Sequence, residues 1–88
     1  NIYSVESLRN ITSFLIDKNC DEKIIFEFVR SIFFICYDAG EKRYYHFIKD
    51  GEKSLKDIKE KLVKKDEKYQ KTIKYILERL KELKSLEN

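Results

Sequence analysis

Over residues 24–37 only Glu27, Arg30 and Ser31 are polar. The remaining positions, among them Phe26, Phe28, Phe33, Phe34 and Tyr37, make a helix that is apolar nearly all round, and such a helix must be covered on more than one side. That requirement constrains everything else, because 88 residues that are 42% apolar can build one modest core and not two. Proline is absent and glycine occurs twice, so little interrupts continuous helix and an all-β fold is excluded. The longest unbroken apolar run, 32–37, is six residues against the roughly 20 that cross a bilayer. No membrane span and no signal peptide are expected. The lack of Met, at position 1 too, reads as a segment cut from a longer protein.

The periodicity predicts further helices on either side of the 22–38 helix. Ser4 can cap a helix over 5–16, in which Val5, Leu8, Ile11 and Leu15 line one face. Gly40 is expected as a left-handed stop, and a short helix over 42–49 is expected to close at Gly51. Ser54 can cap a helix ending near Lys64, with Leu55, Ile58 and Leu62 as its narrow apolar stripe. Asp66 and Glu67 open a last helix, where Tyr69, Ile73, Ile76, Leu80 and Leu83 alternate spacings of four and three. The expected fold is therefore all-α, one domain over 1–88 with four long helices and one short one.

The chain also repeats itself. Residues 7–16 align without gaps to 54–63 at an offset of 47, and 21–23 align to 66–68 at an offset of 45. Phe28, Ile32 and Ile35 then fall on Ile73, Leu77 and Leu80. A unit of this length, built from two long helices and a short one, resembles the armadillo and HEAT class of helical repeats. In that resemblance 4–38 is the first repeat-like helix pair and 41–86 a second, three-helix unit. The resemblance implies a concave surface lined by the last helix of each unit, and hence a partner for exposed parts of 22–38 or of the final helix.

No reaction chemistry is legible. His46 is the only histidine, and Cys20 and Cys36 are too far apart to share a zinc site, so neither a metal nor a cofactor is expected. Sixteen helical residues would separate the two thiols by about 24 Å, which excludes a disulfide and points to an intracellular, cytoplasmic setting. The sequon at Asn10 lies inside a predicted helix and is discounted.

Binding is the better clue. The first 40 residues carry a net charge of minus two and the remainder plus five, but the lysines alternate with Glu and Asp at helical spacing, as in Asp57 with Lys61. The central helix carries more aromatic residues than one interhelical seam can bury. The expected function is a non-catalytic scaffold domain that binds a protein partner through Phe33, Phe34 and Tyr37, rimmed by Arg30, Lys71 and Lys74. Tyr44 and Tyr45 form a second candidate patch. Two alternatives are a nucleic-acid-associated subunit using the basic second half, and a homodimer formed through the seam of the last helix.

Overall fold

The computed structural model describes residues 2–87, with side chains from Val5 onward. It consists of four helices, α1 (Ile2–Asp17), α2 (Glu22–Glu41), α3 (His46–Val63) and α4 (Gln70–Ser85), and no strand occurs among the described residues. The all-α expectation holds, with four long helices and no separate short one. α2 and α3 each pack against all the others, whereas α1 and α4 nowhere approach each other. In section the bundle is a parallelogram with α2 and α3 on its short diagonal, drawn out to 36 × 23 × 17 Å.

The composition of α2 follows from that position. Ile25, Val29, Ile32 and Cys36 recur at i, i+4, i+7 and i+11, are fully buried, and face α3. About 100° around the helix, Phe26, Phe33 and Tyr37 turn towards α4, where the Phe26 and Tyr75 rings lie 4.7 Å apart. Ile24, Phe28 and Ile35 form the opposite flank, along α1. The strip through Glu27, Ser31, Phe34 and Asp38 faces outwards, and Ile24 and Arg30 at its edges are exposed as well. Three neighbours account for a helix that is apolar nearly all round.

Both glycines do something other than stop a helix. Gly40 lies inside α2 and Gly51 inside α3, and neither has a positive φ. A Cβ on Gly51 would sit 2.8 Å from the Cβ of Cys36, and one on Gly40 would sit 2.8 Å from Cγ1 of Ile48. At both positions α2 and α3 pack closely enough that a side chain would hold the helices apart. The helix therefore runs through Gly51, merging the expected short helix into α3 and leaving Ser54 buried in mid-helix and not at a cap. The stop of α2 is Arg43, at φ 71°: the Tyr44 amide donates to the Ala39 carbonyl and the Arg43 amide to that of Gly40, a Schellman motif. α1 begins at Ile2, so Ser4 lies within it; the Ser4 side chain is outside the described residues.

Asn19, at φ 58°, closes α1 in the same manner, with Cys20 donating to Leu15 and Asn19 to Ile16. Asp66 at φ 59° turns the chain after α3, so it precedes α4 and does not open it. The two hairpin turns are fastened together. Lys68 Nζ donates to the Asn19 carbonyl at 2.6 Å, and the buried Tyr69 donates its hydroxyl to the Cys20 carbonyl at 2.8 Å. Glu22, in the first turn of α2, accepts from both the amide and the hydroxyl of Thr72, at 2.9 and 3.0 Å. A carboxylate on one helix thus satisfies an orphan amide at the start of another.

Turn and burial positions recur at offsets near those of the sequence alignment, but in a different register. Asn19 and Asp66 are equivalent at an offset of 47, and at the same offset buried Val29 and Cys36 match buried Ile76 and Leu83. In α1 and α3, burial matches at an offset of 46, pairing Thr12 with Ile58 and Ile16 with Leu62. The sequence alignment instead pairs exposed Ile11 with buried Ile58, and buried Ile32 with exposed Leu77. Similar letters occupy different environments because the alignment is shifted by one residue in α1/α3 and by two in α2/α4, and each residue of shift turns a helix by about 100°.

Candidate functional site

The section of the bundle presents four grooves, α1/α2, α2/α4, α4/α3 and α3/α1, and each has its own chemistry. Most of the residues expected to bind a partner meet at α2/α4. There Phe33 is a correction: it is only 3% exposed, because α4 covers it. The Arg79 guanidinium lies 5.7 Å from the Phe33 ring and 4.9 Å from that of Tyr75, and Glu82 holds it in place. Burial pushes the Tyr75 hydroxyl above its usual range, against the opposing pull of Arg79. Tyr37 is half-buried, its ring 5.3 Å from Phe33. Lys71 stands 5.2 Å from the Phe26 ring, and Lys74 lies beyond it on the exposed crest of α4. Of the expected aromatic anchors only Phe34 remains open, 44% exposed with Arg30 at 5.2 Å from its ring. This groove has largely satisfied itself.

Tyr44 and Tyr45 are exposed in the α2 to α3 connection, apart from that cluster. Tyr44 borders a concavity of about 620 Å³ together with Ile35, Asp38, Ala39 and Phe47. His46 also borders it, exposed and tilted against Phe47 at 4.5 Å. No group of three or more His, Cys, Asp or Glu that could hold a metal occurs among the described residues. Both cysteines are free, and burial pushes the Cys36 thiol up to about 12. Cys36 is a packing residue rather than a nucleophile.

Sequence reasoning missed the α1/α2 groove. Ile11, Phe14 and Ile24 are 44%, 59% and 48% exposed, beside half-buried Leu8, Leu15, Phe28 and Ile35. Lys18 lies against them, 5.4 Å from the Phe14 ring. The signal was the breadth of the first helix's apolar arc: Ile11 and Phe14 lie well round from Val5, Thr12 and Ile16, further than one buried stripe requires.

The α3/α1 groove is polar. Lys61 crosses it to the Ser13 hydroxyl at 2.6 Å and to Asp17 at 2.8 Å. It therefore does not serve Asp57, which pairs with Lys53 instead. The hydrogen bond from Lys61 holds the Asp17 carboxyl below its usual range. In the fourth groove, α4/α3, half-buried Ile73 and Leu80 flank the exposed Leu77, and Lys49 meets Glu87 at 3.2 Å.

Among the described residues no helix is long and apolar enough to cross a membrane. Compared with family models, with curated proteins and with solved structures, the chain finds no match.

Proposed function

We propose that this domain is a non-catalytic protein-binding module of scaffold type, and that its principal docking face is the α1/α2 groove. One observation carries the reading: Ile11, Phe14 and Ile24 stand open to solvent beside half-buried Leu8, Leu15, Phe28 and Ile35. Apolar patches of this kind, rimmed by polar residues, mark interaction surfaces. The expected anchors at α2/α4 contribute Phe34 and Arg30, on the outward strip of α2 that borders this face. The paired hairpin turns, equivalent at an offset of 47, support describing the domain as two units of an armadillo- or HEAT-like repeat. Two free thiols support a reducing, intracellular compartment.

Peptides selected from a random display library against the folded domain, then mapped by amide chemical shifts, test the docking face. The expected result is that shifts concentrate on residues around Ile11, Phe14 and Ile24, and that Phe14→Glu removes binding without lowering the melting temperature. Binders that ignore Phe14→Glu and map to another groove would refute the assignment.

A further inference from the structure

We propose that the α4/α3 groove, on the side of the bundle opposite α1/α2, is a second docking surface whose ligand is an acidic amphipathic helix. Ile73, Leu77 and Leu80 follow at i, i+4 and i+7, on the side of α4 opposite Tyr75 and Arg79 and thus away from α2. Lys56, Lys59 and Val63 follow at i, i+3 and i+7 on α3, opposite Lys61, which reaches α1. The ion pair between Lys49 and Glu87 fixes this edge of α3 beside the end of α4. Leu77 is 46% and Val63 55% exposed, so the trough between the two helices has an apolar floor that the fold leaves uncovered.

The α4 bank of that trough is basic, while on the α3 bank Lys56 and Lys59 share the face with Glu52, which lies beside Glu87. Lys56, Lys59, Lys74, Lys81 and Lys84 make no ion pair among the described residues, whereas Lys49, Lys53 and Lys61 are each paired. The acids of α4, Glu78 and Glu82, are drawn to the other side, where they hold Arg79. The lysines without partners along the α4 bank call for a ligand whose apolar stripe carries carboxylates on the edge that meets α4. The distance from Ile73 to Leu80 is about 10 Å of helix, matching the i, i+4 and i+7 anchors of a helix laid in the groove. Nucleic acid would use the lysines and gain nothing from Leu77. A membrane would favour interfacial aromatic side chains, which this trough lacks.

The experiment titrates the 88-residue domain into four probes. They are a labelled helical peptide with leucines at heptad spacing flanked by glutamates, a scramble of the same composition, duplex DNA, and vesicles of equal parts phosphatidylcholine and phosphatidylserine. The ordered peptide is expected to bind with an affinity that falls as salt rises, and about tenfold more tightly than the scramble. Leu77→Gln, which leaves charge unchanged, and the pair Lys74→Glu with Lys81→Glu should each weaken it about tenfold, with unaltered thermal melts. Phe14→Glu should leave this binding intact, which separates it from docking at α1/α2. The proposal is overturned if the scramble binds equally well, or if DNA or vesicles bind as tightly as the peptide and are indifferent to Leu77→Gln.

Discussion

Gly51 and Arg43 each occupy a position that the other's residue type would ordinarily fill, and both consequences are measurable. In mid-helix, alanine is intrinsically better than glycine by about 1 kcal/mol. At Gly51 the new methyl would meet the Cβ and Sγ of Cys36 at 2.8 and 2.9 Å, atoms close to the backbone that yield only if α2 and α3 separate. Overpacking of that kind costs about 1–3 kcal/mol and outweighs the propensity gain. Arg43 holds a left-handed conformation at φ 71°, is exposed, and makes no salt bridge among the described residues. Glycine there would relieve about 1 kcal/mol of steric cost, less part of its own entropic penalty. Thermal melts should therefore move in opposite directions, down by several degrees for Gly51→Ala and up by a few for Arg43→Gly. A Gly51→Ala protein as stable as the parent would mean that the helices do not cross there so closely.

At the scale of elements, helix positions were legible in the sequence wherever the period alone decided them. The arcs of α1, α2 and α4 follow from residues that are neighbours along one helix. Gly51 was illegible because a glycine that ends a helix and one that admits a second helix look alike until Cys36, on another helix, is placed beside it. Phe33 and Phe34 pose the same problem: they differ by about 100°, and only the position of α4 decides which is buried. The α1/α3 contact is of this long-range kind as well, since Lys61 bypasses Asp57 for Asp17. The Asp17 carboxyl is lowered in the folded state from its ordinary 3.8, so its contribution is present above that value and is lost as pH falls through the folded pKa, below 3.8. Urea midpoints for Asp17→Asn should lie below the parent's at about pH 6 and converge with it as acid protonates the parent's carboxyl. A gap that persists undiminished in acid would show that the substitution acts through something other than the ion pair.

For the whole molecule, the decisive property is a thin bundle, 17 Å in its shortest dimension, with different chemistry on its two sides. Of the α4 seam that suited self-association in the sequence, Tyr69, Ile76 and Leu83 are fully buried against the chain's own core, while Ile73 and Leu80 are half-buried beside the exposed Leu77. The face better suited to attract a second copy is α1/α2, where burial of Phe14 and its neighbours is worth on the order of 25 cal/mol per Å² of apolar surface. A net charge of +3 opposes that contact at low ionic strength, and salt both screens the repulsion and strengthens apolar association. Light scattering should accordingly give a mean mass that rises above 10.7 kDa with concentration, and more steeply in high salt. Phe14→Glu should hold the mass at the monomer value under every condition, while Leu80→Ala, on the opposite side, should leave the parent's curve unchanged. A reversed pattern, with Leu80 controlling the mass and Phe14 indifferent, would place the interface on α4 after all. It would also remove the reason for treating α1/α2 as the face that a partner covers.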